Sequence, residues 1–194
     1  MGKGIYHSAL KGSIVYDVSG TAFYEGKNFS VFQYDLIAEK IPSRGLKADC
    51  VYAEPPYPSG FAVFNERAGA SGARTYDDLA GAISKIIESG QPTYITLGKT
   101  LLKKLPEPKG TIEVMLNGLG SEVAYWGTDI RPVGRTTKDV VVDLARRYGS
   151  MWDFCCGYGD CLVNFMASGG EYAVGSDYDN KCVTITKGRL QNVD

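Results

Sequence analysis

Glu54-Pro55-Pro56-Tyr57 puts a carboxylate, two ring-locked residues and an aromatic face within four positions. Proline has no N–H and a fixed φ, so the run stops a strand and stiffens its exit. A rigid exit holds the Glu54 carboxylate, a backbone carbonyl and the Tyr57 ring near one point. That set suits a planar base carrying an amine: carboxylate and carbonyl accept the amine hydrogens while the ring stacks on the base. The plainer reading is a proline-stiffened strand exit with an exposed tyrosine, and the motif alone does not choose between the two.

A second segment, Trp152-Asp153-Phe154-Cys155-Cys156-Gly157-Tyr158-Gly159-Asp160, joins an expected strand to an expected helix. Glycines one residue apart let a backbone approach a ligand where a side chain would collide, and the helix start presents free N–H groups. A ribose-binding acid should follow about 20 residues on. Asp177, in Gly175-Ser176-Asp177, stands there. Turn, helix and spaced acid point to a nucleoside-containing cofactor; a tight turn without a ligand is the alternative. In a dinucleotide fingerprint a third glycine would fall three residues after Gly159, where Leu162 stands, which argues against NAD.

Composition narrows the chemistry. His7 is the one histidine and no motif surrounds it, so histidine-based nucleophilic catalysis has little to work with. The five cysteines, Cys50, Cys155, Cys156, Cys161 and Cys182, are odd in number and crowd one segment, which argues against a disulfide framework. Their spacing matches no metal-binding pair, and no metal is expected. A net charge of −1 means that any nucleic-acid contact must come from a local patch. No membrane-length apolar run and no signal-peptide pattern is seen, so a cytoplasmic protein without a membrane partner is expected.

The elements that must position the two motifs follow from pattern. Strands are expected over residues 12–16, 29–34, 48–53, 93–97, 111–116, 122–126, 151–155 and 172–175, and helices over 75–89, 137–148, 160–167 and 180–191. Asn117-Gly118-Leu119-Gly120-Ser121 signals a hairpin. Residues 58–73, rich in Gly, Ser and Ala and without periodicity, read as a long functional loop. Strands alternating with helices predict an α/β, Rossmann-like fold: a mostly parallel central sheet, an antiparallel hairpin at one edge and helices on both faces. No linker or repeat divides residues 1–194, which read as a single domain.

With these motifs in place, the chain resembles the amino-methyltransferases that modify adenine N6 or cytosine N4 in DNA. Their Asp/Asn/Ser-Pro-Pro-Tyr/Phe motif is matched by residues 54–57, and their Asp-Pro-Phe-x-Gly-x-Gly loop by Asp153, Gly157 and Gly159. The order, catalytic motif before cofactor motif, is that of their permuted class. The resemblance implies a methyltransferase fold and S-adenosylmethionine as cofactor. It implies Glu54, Pro55, Pro56 and Tyr57 as the catalytic set. Asp153, Cys155, Gly157, Gly159 and Asp177 would bind cofactor. Asp35, in the strand-and-acid element Phe32-Gln33-Tyr34-Asp35, and Lys138, in the 131–147 segment that would cradle the methionine end, would join them.

Two departures keep other readings open. Glu54 stands where the family has Asp, Asn or Ser, an added methylene of about 1.5 Å where about 1 Å of misplacement can cost 10²-fold. Only residues 127–137 could serve as a target-recognition region. The chain therefore reads as a DNA amino-methyltransferase, adenine favoured because an acid opens the motif. The alternatives are a non-catalytic methyltransferase-like subunit, or an enzyme acting on RNA, protein or a small molecule. The partner expected is nucleic acid, DNA first, and a protein partner or a homodimer is also open. Lys99, Lys103, Lys104 and Lys109, and Arg131, Arg135, Lys138, Arg146 and Arg147, form two basic clusters; phosphate contact and an ordinary solvated surface are both open for them. Phe61, Phe64, Arg67 and Arg74 sit in or beside the expected loop, suited to clamp a nucleic acid or to lid the cofactor.

Overall fold

The computed structural model describes residues 13–16, 22–67, 74–116 and 119–193. Nine described strands form one sheet: β1 (Ser13–Tyr16), β2 (Ala22–Glu25), β3 (Phe29–Gln33), β4 (Cys50–Ala53), β5 (Thr93–Leu97), β6 (Gly110–Leu116), β7 (Leu119–Trp126), β8 (Ser150–Asp153) and β9 (Tyr172–Asp177). Their spatial order is β1-β2-β3-β9-β8-β4-β5-β7-β6. The five central strands, β3 to β5 in that order, run parallel. Antiparallel pairs flank them on both sides, not on one as the sequence led us to expect. The extra pairing comes from β2, which none of the expected strands covers. Gly26 closes its turn by donating to the Phe29 carbonyl at 2.8 Å.

Six described helices cover both faces: α1 (Pro58–Arg67), α2 (Tyr76–Glu88), α3 (Lys99–Leu102), α4 (Thr137–Ala145), α5 (Asp160–Ala167) and α6 (Asn180–Leu190). Side chains alternate along each strand. In β4, Cys50 and Tyr52 join Val140, Leu144, Leu162, Phe165 and Val183 of α4, α5 and α6. Val51 and Ala53 join Phe61, Leu79, Ile83, Ile86 and Leu101 of α1, α2 and α3. Burying each such Ile or Leu contributes roughly 1.5–3 kcal/mol, which holds the helices to the sheet. Thr75 with Asp78 and Thr136 with Asp139 form capping boxes that start α2 and α4 where their apolar stripes begin.

Residues 58–67 are helix α1 and not the loop expected from their composition. Pro58 takes the first helical position, where its missing N–H costs nothing. Phe61 anchors the helix, buried with its ring centroid 5.7 Å from that of Tyr76. One anchor gives no period to read. Residues 68–73, Asn117, Gly118, His7 and Gly20 lie outside the described residues, as do the side chains of Phe64 and Arg67.

Counted from β8, the central strands stand in the doubly wound order third-second-first-fourth-fifth. The chain enters that order at its third strand, β3, and reaches its first and second, β8 and β9, last. The direction of winding reverses between β8 and β4, and ligands bind outside the carboxyl ends of strands at such a point. Both motifs lie there. Among the described residues no helix is long and apolar enough to cross a membrane.

Candidate active site

The carboxyl ends of β3, β9, β8 and β4 open on one cleft of about 200 Å³. Each strand exit supplies part of its wall: Tyr34 and Asp35 after β3, Glu54 and Pro56 after β4, Cys155 and Gly157 after β8, Asp177 and Tyr178 from β9. Leu36, Ile37, Phe61, Leu79 and Phe154 add apolar wall. A cleft that combines these apolar walls with the carboxyls of Asp35, Glu54, Asp177 and Asp179 suits a nucleoside carrying positive charge.

The glycine turn is built as the sequence implied, but its two glycines do different work. Gly159 caps α5 at φ +81°, and a Cβ on it would lie 2.7 Å from Thr186 Cγ2. Gly157, at φ +51°, has nothing within 4 Å of its would-be Cβ and lines the cleft. Leu162 is fully buried against Gly175, where a Cβ would meet Leu162 Cδ1 at 2.6 Å. Close helix–strand packing therefore uses a glycine on the strand, where a dinucleotide fingerprint uses one on the helix.

Two carboxyls sit behind the turn. Asp153 is 2% exposed and accepts from the Cys155 N–H at 3.1 Å. Burial pushes its pKa well above the carboxylate range; that N–H pulls it back, and the charges of Glu54 and Asp177 raise it further. Asp177 accepts from the Gly157 and Asp179 N–H groups, both at 2.9 Å, and burial still raises its pKa. Carboxyls that burial holds above their usual range gain from an arriving cation, which restores their charge.

The Glu-Pro-Pro-Tyr motif lines this cleft and, through Tyr57, touches residues that line another. Glu54 and Pro56 line the first. Tyr57 turns the other way: its hydroxyl bonds Ser121 Oγ at 2.8 Å, and its ring lies 2.9 Å from a Cβ built on Gly98. Gly98 and Ser121 line a second cleft of about 590 Å³, which Lys99 and Arg135 also line. Tyr52 Oη donates to Glu54 Oε1 at 2.9 Å and pairs with Thr96 Oγ1 at 2.8 Å. Tyrosine has one hydroxyl proton, so Thr96 is the donor of the second bond. The longer acid is thereby drawn back along its own strand. The Pro56 carbonyl accepts from the Tyr76 hydroxyl at 3.2 Å, whereas that of Pro55 accepts nothing among the described residues.

Of the residues singled out in the sequence, Glu54, Pro56, Asp35, Cys155, Gly157 and Asp177 line the first cleft. Asp153 lies directly behind it. Pro55 and Gly159 are buried beside it and Tyr57 faces away. Lys138 does not reach it. Inward-facing Val140, Val141 and Leu144 set the phase of α4, which leaves Lys138 exposed on the first turn. Asp35 accepts from the Ile37 and Ala38 N–H groups and is gripped two-pronged by Arg74, whose guanidinium lies 4.9 Å over the Tyr178 ring. Tyr52 and Tyr178 had no signal in the sequence, Tyr34 entered only as part of the element before Asp35, and Arg74 was read as part of a nucleic-acid clamp or a cofactor lid.

No family model and no curated protein matches the chain. Solved structures do. The M1.HpyAVI-SAM complex aligns with a TM-score of 0.56 at 10% identity, over 84% of this chain and 98% of that one. M1.HpyAVI alone gives 0.55 at 11% identity over the same shares. TTHA0409 from Thermus thermophilus, assigned as a DNA modification methylase, gives 0.50 at 12% identity, over 75% of this chain and 87% of that one. The chain has the methyltransferase fold. At such identities the likeness concerns the course of the backbone, so the chemistry must be argued from the clefts.

Proposed function

We propose that this chain is an S-adenosylmethionine-dependent methyltransferase acting on an exocyclic amine of a DNA base, adenine N6 ahead of cytosine N4. The observation that carries the proposal is the position of residues 54–57. Glu54 and Pro56 line the acceptor-rich first cleft, while Tyr57 bonds Ser121 and packs on Gly98, two residues that line a second cleft with Lys99, Arg135, Glu113 and Glu122. A transferase needs donor and acceptor on the two sides of one catalytic strand exit. The SAM complex of a structural neighbour supports the assignment of the first cleft.

The cleft suits this cofactor by its donor set. Its carboxyls, Asp35, Glu54, Asp177 and Asp179, outnumber Arg74, whose charge Asp35 already engages. A cationic nucleoside fits there and a pyrophosphate does not. Asp177 and the Gly157 backbone would hold the ribose and the methionine end, and the apolar walls the base. The bound cofactor supplies an electrophilic methyl group. Glu54, held by Tyr52, accepts one hydrogen of the target amine, and the free Pro55 carbonyl accepts the other. Together they aim the nitrogen lone pair into the first cleft. Tyr57, anchored through Ser121, offers a ring face to the base, and Lys99 and Arg135 meet phosphates. Positioning is the main catalytic term.

A second reading, a subunit that binds cofactor without catalysis, draws on the same Glu54–Tyr52 bond, which engages the carboxylate that a substrate amine would need. Purified protein with methyl-labelled cofactor and mixed-sequence DNA separates the readings. Nucleoside digestion should yield labelled N6-methyladenine. Label at cytosine N4 alone corrects the base, label only in RNA, protein or free nucleosides corrects the substrate class, and cofactor binding without transfer to any of them establishes the second reading.

A further inference from the structure

We propose that the Tyr34 hydroxyl is a ligand-binding group of the first cleft, donating a hydrogen bond to a ring nitrogen of the cofactor's nucleobase; this rests on the assignment of that cleft to S-adenosylmethionine. Tyr34 leaves β3 with its N–H bonded to the Asp177 carbonyl at 2.9 Å. Its ring lodges against Phe32 and Trp152, at centroid distances of 6.3 and 6.2 Å, and only 2% of the residue is exposed. Tyr52, Tyr57, Tyr76 and Tyr94 all place their hydroxyls in hydrogen bonds. The Tyr34 hydroxyl is buried and has no partner among the described residues, although Tyr34 lines the cleft. A buried unpaired hydroxyl destabilises the protein that carries it, and phenylalanine would fill the same space.

The chemistry of the partner follows from the surroundings. Burial, then the charges of Glu39, Asp35 and Cys155, raise the Tyr34 pKa, so the phenol keeps its proton and acts as a donor. Its ligand must present an acceptor. Sulfonium and ammonium groups present none. The ribose hydroxyls are matched by Asp177, which accepts. The methionine carboxylate also accepts, but the charges of Glu39 and Asp35 beside Tyr34 oppose a further anion there. The ring nitrogens of a nucleobase remain, and the apolar walls at Leu36, Ile37 and Phe154 suit a flat heterocycle.

Tyr34→Phe tests the assignment by calorimetric titration with S-adenosylmethionine and S-adenosylhomocysteine and by thermal melts of the free protein. The expected result is a similar loss of affinity for both ligands, about three- to tenfold, the range of one neutral hydrogen bond. The melting temperature should be unchanged or raised, because an unpaired buried group has been removed. Equal affinities of variant and wild type overturn the inference. So does a lowered melting temperature, which would mean that the hydroxyl has a partner within the protein. If the wild type binds neither ligand, the cofactor assignment of the cleft itself fails.

Discussion

Replacing either glycine of the cofactor turn with alanine should damage the protein in a different way. At Gly159, an L-residue at φ +81° costs about 1–2 kcal/mol from the left-handed backbone alone. The new Cβ would also fall 2.7 Å from Cγ2 and 2.9 Å from Oγ1 of Thr186. Thr186 is fully buried and donates to the Gly157 carbonyl at 2.9 Å, so it cannot yield without releasing the turn. Overpacking of this kind adds roughly 1–3 kcal/mol. The total of about 2–5 kcal/mol corresponds to a fall in melting temperature of roughly 4–20 °C for a chain of this size. At Gly157 only the backbone cost applies, about 1–2 kcal/mol or 2–8 °C, since nothing lies within 4 Å of its Cβ. That methyl would instead project into the cleft proposed to hold the cofactor, and affinity should fall tenfold or more, at about 1.4 kcal/mol per tenfold. Melts and titrations of both variants are the assay. Gly157→Ala with full cofactor affinity, or equal melting losses for the two variants, would refute the division of roles.

Asp153, raised by burial, contributes stability that is fully present below its unfolded value of about 4 and is lost as pH rises through its folded value. Asp153→Asn should therefore gain on the wild type as pH rises, and parallel melting profiles between pH 4 and 8 would contradict the cause assigned. Arg74→Ala leaves the Asp35 carboxylate, 14% exposed, with only two backbone partners. It should cost toward the lower end of the ~3–5 kcal/mol seen when one member of a buried pair is removed. Arg74→Lys should recover only part, for want of the two-pronged grip; melts that place Lys level with Arg would dismiss the geometry. Glu54→Ala should cut methyl transfer at least about 10²-fold and weaken cofactor binding by much less, because it removes one carboxyl of that cleft while Asp177 and the glycine turn remain. Retained transfer would remove Glu54 from the reaction.

Much of this site is local, and local features are legible in a sequence. Pro55 and Pro56 must end β4 wherever the strand lies, because they offer no ladder N–H. The strand–glycine–helix turn at residues 150–160 and the acid Asp177 at the end of the next strand belong to one continuous strand–helix–strand segment. Their types alone placed them. Leu162 likewise spoke against a dinucleotide from its position in the turn, and the structure adds how Gly175 accommodates it.

What the tertiary structure decided lies between residues far apart in the chain. Gln33 Nε2 donates to the Tyr178 carbonyl across 145 positions, and four strand exits meet only because the sheet order brings β3 beside β9 and β8 beside β4. That order is set by summed burial on two faces, which no short window contains. Whether Gly157 or Gly159 faces the cleft depends on where Thr186 of α6 packs. Asp35 meets Arg74 because β3 and α2 stand on one side of the sheet opening, and Tyr57 turns to Ser121 because β7 pairs with β5. Lys138, credited to the site from its segment, is carried outward by the phase of its own helix. Residue types determined which chemistry the chain could hold, and long-range packing determined which of those residues reach it.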